Sequence, residues 1–226
     1  MNRFGRGLFI VGCLFVLNLT VIHSQAFALI INETEPNDSL LTAQNIDAFF
    51  SLGENADIAN SLTSPWVSIL ATGNNTFDYF SFNVSQAGIQ GLFDIDYAFT
   101  LSQELDTQLF LFDINGTLLN EGDDDFSNPG ANGSEFGFDP FIEYTFLSSG
   151  DYVLAVSQFP SNGLNDGSIE GIAIPEGTSY TLQVSLSEHS VTGGNNSSNA
   201  VPEPASMSLM GLGMAAMAYI RKKKQL

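Results

Sequence analysis

The chain has 226 residues, with 25 Asp plus Glu against six Lys plus Arg and a formal net charge of −19. The six cations are Arg3 and Arg6 at one end and Arg221, Lys222, Lys223 and Lys224 at the other. No basic residue between them can neutralise a phosphate backbone, so nucleic-acid binding is excluded. The one cysteine, Cys13, lies in an N-terminal apolar run, which excludes disulfides, thiolate metal sites and cysteine nucleophiles from the body of the chain. His23 and His189 fall outside the predicted core, which removes a Ser-His-Asp triad and histidine-ligated zinc. Like charges without a basic partner repel one another, so the carboxylates need solvent, hydrogen bonds or bound cations.

Residues 1–28 read as a secretory signal. Arg3 and Arg6 precede an apolar run from Leu8 to Val21, and Ala26-Phe27-Ala28 fits the small-x-small cleavage rule; a retained signal anchor is the competing reading. The body of the chain, residues 29–186, opens on Asn32-Glu33-Thr34-Glu35-Pro36-Asn37-Asp38-Ser39. In an extended chain Glu33 and Glu35 project to one side, and adjacent carboxylates repel unless a cation lies between them. Asn37 and Asp38 add oxygens beyond Pro36. Calcium takes about six to eight oxygen ligands, of which this segment can supply about half. The alternative is that residues 37–39 cap a short helix over residues 39–45 and the glutamates are solvated.

The rest of the body alternates with period two, as half-buried strands do. Phe80, Phe82 and Val84 oppose Tyr79, Ser81 and Asn83, and Phe93, Ile95 and Tyr97 oppose Asp94 and Asp96. Ile142, Tyr144 and Phe146 oppose Glu143 and Thr145, and Tyr180, Leu182, Val184 and Leu186 oppose Thr181, Gln183 and Ser185. Leu109-Phe110-Leu111-Phe112 and Tyr152-Val153-Leu154-Ala155-Val156 are apolar on both faces, as central strands are. Short strands separated by turns such as Asn115-Gly116 predict an all-β, antiparallel, jelly-roll-like β-sandwich. Two long polar loops, residues 121–138 and 159–178, interrupt it, and loops of that length are usually functional or mobile. The first holds Asp123, Asp124 and Asp125 together with Glu121, Glu135 and Asp139. The three consecutive acids read either as a solvated turn or, helped by Asp106 or Asp113, as a second calcium site.

Residues 187–200 are rich in Ser, Asn and Gly and read as a flexible linker. Val201-Pro202-Glu203-Pro204 follows, then an uncharged stretch from Ala205 to Ile220, then the basic cluster Arg221 to Lys224. At ~1.5 Å per residue that stretch spans only ~24 Å as a helix, a short transmembrane segment against a ~30 Å hydrocarbon core. Its basic end would stay cytoplasmic. Order, spacing and terminal position resemble the PEP-CTERM sorting signal of Gram-negative bacteria; an ordinary single-span tail is the alternative. The resemblance implies export, processing by an exosortase, an inner-membrane-anchored intermediate, and release to the cell surface or extracellular matrix.

A second resemblance covers the body. Glu33-x-Glu35-Pro36-Asn37-Asp38, then Gly73-Asn74-Asn75-Thr76-Phe77-Asp78-Tyr79-Phe80-Ser81-Phe82, Asp106-Thr107 through Asp113, Asp123-Asp124-Asp125 and Gly150-Asp151-Tyr152-Val153 are similar to the bacterial pre-peptidase C-terminal domain. That family implies a non-catalytic β-sandwich. From its calcium-binding members it also implies ligands at Glu33, Glu35, Asn37, Asp38, Asn75 and Asp78. Asn75 stands where those members carry an aspartate, and residues 49–66 lengthen the gap between the two motifs. The functional expectation is an exported, non-enzymatic surface or matrix protein with a calcium-stabilised sandwich. A carbohydrate-binding module acting in extracellular polysaccharide is the second reading. A hydrolase using paired carboxylates is the third; among 25 acids some pair meets any required separation, so it carries little weight.

Overall fold

The computed structural model describes residues 30–126, 130–134 and 136–189. The predicted signal peptide, most of the linker and the sorting signal lie outside them. Among the described residues no helix is long and apolar enough to cross a membrane.

In chain order the strands are β1 (Ile30–Asn32), β2 (Gln44–Asn45), β3 (Trp66–Thr72), β4 (Asp78–Val84), β5 (Gln90–Asp96), β6 (Thr107–Asp113), β7 (Leu118–Gly122), β8 (Phe141–Thr145), β9 (Gly150–Gly163), β10 (Ile169–Ile172) and β11 (Ser179–Leu186). They form two sheets, β1-β3-β11-β5-β8 and β2-β4-β9-β6-β7, with β10 paired to β9. The all-β sandwich expected from the alternating pattern is therefore present. Its long strands pair antiparallel, but β1 joins β3 and β2 joins β4 in parallel. The chain thus enters by adding one short strand to the edge of each sheet, and the segment between β1 and β2 crosses the open side of the sandwich. Glu33 to Asp38 lie on that crossing.

The helix expected over residues 39–45 does not form. Ser39 and Thr42 bond each other, hydroxyl to hydroxyl at 2.9 Å and Ser39 N–H to Thr42 Oγ1 at 3.1 Å, closing a turn. Gln44 and Asn45 then pair with Phe80 and Ser81. Short hydroxyl side chains offer the backbone such local partners in competition with a helix. The second long loop is also more ordered than its composition suggests, because β9 runs on to Gly163 and returns as β10.

Alternating apolar residues of both sheets meet in the core: Val67 and Ile69, Phe80 and Phe82, Phe93 and Ile95, Leu109 and Leu111, Leu154 and Val156, Leu182 and Val184. A second cluster on the far side of the six-stranded sheet joins Tyr79, Phe110, Phe112, Val153, Ala155 and Ile169, with Leu40, Ala43, Phe77 and Leu118 against it. This explains why β6 and β9 read as apolar on both faces.

The outer face of the five-stranded sheet is different. It carries Ser68, Asp94, Asp96, Thr181, Gln183 and Ser185, which alternation alone assigns to solvent, yet all six are buried. Two segments cover it, residues 51–65 and part of the loop after β7. They bond each other, Ala59 N–H to the Gly130 carbonyl at 3.0 Å and Asn132 Nδ2 to the Ala56 carbonyl at 3.0 Å. Trp66 Nε1 donates to the Gly53 carbonyl at 3.0 Å, fastening the first segment to β3.

Candidate metal centres

The first centre forms where the crossing segment meets β4. Carboxylate oxygens of Glu33, Glu35 and Asp78 all lie within 4.8 Å of one another. Glu33 follows β1, whose pairing continues through Glu33 N–H to the Leu70 carbonyl at 2.9 Å, and its Oε2 accepts from Thr72 N–H at 3.1 Å. Glu35 Oε1 accepts from Asn74 Nδ2 at 2.6 Å, and Oε2 from Asn37 N–H at 3.0 Å. Asn37 is fully buried. Its Nδ2 donates to Glu33 Oε1 at 2.8 Å and its carbonyl accepts from Tyr79 N–H at 2.9 Å.

Asp78 is also fully buried, and its Oδ2 accepts from the Tyr180 hydroxyl at 2.6 Å. Burial, followed by the Glu33 charge, pushes its carboxyl up to about 8 against the opposing Tyr180 hydrogen bond. Burial likewise raises Glu33, although hydrogen bonds from Asn37 and Thr72 oppose it. Two oxygens, Asn37 Oδ1 and Asp78 Oδ1, are buried without a hydrogen-bond partner. Crowded carboxylates with bare buried oxygens, and no Lys or Arg between residues 7 and 220, are chemically a set of hard oxygen donors of the kind that suits a divalent cation.

Of the six positions named from the sequence, Glu33, Glu35 and Asp78 converge, and Asn37 is bonded into the cluster. Asp38 is exposed, close enough for its charge to raise Asp78. Asn75 has a left-handed φ of 69°, and its amide is engaged by Glu176, accepting from the Glu176 N–H at 3.2 Å. Asn74 and Tyr180 are additions that sequence reasoning misses. Asn74 lies in the same sequence motif as Asn75, whereas Tyr180 is more than a hundred residues from Asp78 and only the placement of β11 brings them together.

The second centre joins the start of β6 to the turn after β7. Carboxylate oxygens of Asp106, Asp123 and Asp124 lie within 4.8 Å of one another. Asp106 Oδ1 is buried without a partner, and burial followed by the Asp124 and Asp123 charges pushes this carboxyl up to about 6. Asp125 does not join; its charge acts on Asp94 instead. Asp113 is elsewhere, at the end of β6. Burial would raise its carboxyl, but the amides of Thr117 and Asn115, bonded to Oδ1 at 2.8 and 2.9 Å, hold it below the usual range.

The described domain is therefore a β-sandwich with carboxylate clusters where loops cross its strand ends. At the far end of the chain, residues 200–224 match the PEP-CTERM protein-sorting motif, as Val201-Pro202-Glu203-Pro204 and the terminal basic cluster indicated. The motif implies export, exosortase processing and a membrane-anchored intermediate. No curated protein matches the chain. Among similar solved structures are two periplasmic inhibitors of g-type lysozyme. PliG of Aeromonas hydrophila has 10% identity and covers 70% of this chain and 95% of its own, and PliG of Salmonella Typhimurium has 17% identity and covers 64% and 99%. The pre-peptidase C-terminal domain of a Bacillus anthracis collagenase has 12% identity and covers 68% and 99%. All three have a TM-score of 0.32.

Proposed function

We propose that the protein is an exported, non-enzymatic cell-surface or extracellular-matrix component whose β-sandwich is stabilised by calcium. The observation that carries the export half is the sorting motif at residues 200–224. Support for the calcium half comes from the first centre, where oxygens of three carboxylates converge and two buried oxygens, Asp78 Oδ1 and Asn37 Oδ1, have no hydrogen-bond partner. Glu33, Glu35 and Asp78 would hold the ion with the Asn37 amide oxygen. Three of these residues also tie strands together. Glu33 and Asn37 fasten the crossing segment to β3 and β4, and Asp78 is bonded to β11 through Tyr180. An ion there would link the edges of both sheets. Asp106, Asp123 and Asp124 form the second candidate ligand set, between β6 and β7.

Polysaccharide binding has less support. A groove of about 490 Å3 lies beside the first centre, but Tyr79 in its wall is only 2% exposed. A second groove of about 400 Å3 is bordered by Trp66, which is 1% exposed. Tyr79 and Trp66 therefore present no face on which a sugar would stack, and the 43% exposed Tyr97 of the second groove stands without a second exposed ring beside it in that lining, its hydroxyl donating to Asp57 Oδ2 at 2.9 Å.

Export is tested in a Gram-negative host encoding an exosortase. Substituting Glu203→Ala is expected to leave a full-length precursor in the inner-membrane fraction, while the unaltered chain is shortened and reaches the surface or medium. Equal processing and equal surface yield of the two chains would contradict the reading.

A further inference from the structure

Beneath residues 51–65, the outer face of the five-stranded sheet holds a buried relay of side chains that neither metal centre uses. Ser68 of β3 and Gln183 of β11 stand directly opposite each other in the antiparallel register. They are 2% and 4% exposed. The Ser68 hydroxyl donates to Gln183 Oε1, and Asn55 Nδ2 donates to Ser68 Oγ at 3.4 Å, so the hydroxyl proton is directed at the carboxamide. On its other side Gln183 Nε2 donates to Asp96 Oδ2 of β5 at 3.1 Å. Asp96 is fully buried, and burial, opposed by the Gln183 bond and reinforced by the Asp57 charge, pushes its carboxyl up to about 7. The relay thus sets a hydroxyl nucleophile, a carboxamide carbon and a group that carries a proton near neutrality in a row across three adjacent strands.

The spacing suits a covalent bridge. Opposed residues of an antiparallel pair have Cβ atoms about 4.5–5.5 Å apart, and a Cβ–Oγ–Cδ–Cγ–Cβ link of four bonds of about 1.5 Å each reaches about that far. Between residues 14 and 221 the chain has no cysteine for a disulfide and no lysine for an amide cross-link. A serine and a glutamine held in contact need neither. Reactants held in this way behave as if at effective molarities of about 10⁵ M or more, and the burial that keeps water from the pair protects the product from hydrolysis. Ser68 and Gln183 also line the groove of about 400 Å3 bordered by Trp66, which gives a small leaving group a way out.

We propose that Ser68 and Gln183 join in an intramolecular ester that cross-links β3 to β11. Ser68 Oγ adds to Gln183 Cδ, and its proton passes to Oε1, to which it is already hydrogen-bonded. The Cδ–Nε2 bond then breaks. The nitrogen takes its third hydrogen from the Asp96 carboxyl and leaves as ammonia, while the Oε1 proton returns to Asp96 and restores the carbonyl. One hydroxyl and one carboxamide become one ester and one ammonia, with no oxidant or co-reactant. The bond ties the strand from which the chain runs on to the sorting motif to its neighbour in the sheet, so a pull on the C-terminus loads a covalent link. It forms independently of calcium.

The test is peptide mapping of the full-length chain, purified folded, then denatured and cleaved after glutamate. Residues 55–104 hold Ser68 and residues 177–188 hold Gln183, and neither fragment contains an internal glutamate. The two are expected as one linked species, lighter than their summed mass by one ammonia and separated by mild alkali or hydroxylamine. Ser68→Ala and Gln183→Met are each expected to abolish it, and Asp96→Asn to slow its appearance in a pulse-chase by about a hundredfold. Two unlinked fragments at full mass, ammonia lost from an unlinked fragment, a link that survives Ser68→Ala, or an unchanged rate in Asp96→Asn would each overturn the proposal. Should a variant not fold, the unaltered chain still decides, because the linked species is read without comparison.

Discussion

With chelator present, the thermal midpoint of the full-length chain is expected to fall as the pH is raised from about 5 to about 9. Burial is the leading cause that raises four carboxyls: Asp106 to about 6, Asp96 to about 7, Asp78 to about 8 and Asp94 to about 10. In the unfolded chain each would titrate at about 3.9. Between those limits the folded state holds protons that the unfolded state has released, so stability is complete below about pH 4 and is lost as the pH rises through the folded values. The direction is opposite to that of a salt-bridged carboxylate. Asp166, held low by the Ser168 hydroxyl and amide, and Asp113 titrate below this window and do not reverse the trend. Millimolar calcium is expected to flatten the dependence, since an ion replaces the protons at the sites it fills. Scanning calorimetry at a series of pH values decides the matter; a chelated midpoint that rises or stays level toward alkaline pH would contradict the burial of these acids without a cationic side chain beside them.

The second large effect is expected from Phe82→Ala, at about 3–5 kcal/mol of lost stability. Phe82 is 1% exposed in the middle of β4, and its ring centroid lies 5.6 Å from that of Phe93, 5.9 Å from Phe146 and 6.3 Å from Tyr152. These rings come from both sheets, so truncation opens a cavity at the sheet interface that no single side chain can refill. The loss corresponds to a drop on the order of 10 °C in midpoint for a domain of this size. Leu41→Ala, at a side chain 94% exposed, is the matched control and is expected to change stability by less than about 0.5 kcal/mol. Urea melts of the two variants measure both values, and comparable losses would place the core elsewhere.

The sandwich was legible because its inner faces obey a strict two-residue period. Phe80-Phe82-Val84 and Leu182-Val184-Leu186 could belong only to half-buried strands. The same rule failed on the other face of β5 and β11. Alternation separates polar from apolar sides, but it cannot tell whether a later or earlier segment will cover the polar side. Asp94, Asp96 and Gln183 therefore read as solvated from their pattern, although residues 51–65 and the loop after β7 fold over them. The clue available in the sequence was the pairing of two long insertions with two aspartates in one strand, and it needed strand order to be read.

At the first centre, Glu33, Glu35 and Asn37 were readable because they are local in sequence and Pro36 punctuates them. Asp78 followed from a motif resemblance, and the Tyr180 hydroxyl came only with the register of β11 against β3. Asn75 shows the limit of positional carry-over. It stands at the motif position of a ligand, yet Glu176, far along the chain, holds its amide.

The most direct measurement of the central claim is the thermal midpoint of the full-length chain at neutral pH, in excess chelator and in millimolar calcium. An ion that binds the native state alone raises stability by about 2.7 kcal/mol when present at about a hundred times its dissociation constant. Calcium is therefore expected to raise the midpoint by several degrees, and the increment is expected to shrink in the Glu33→Gln variant. Coincident melts with and without calcium would contradict a calcium-stabilised sandwich.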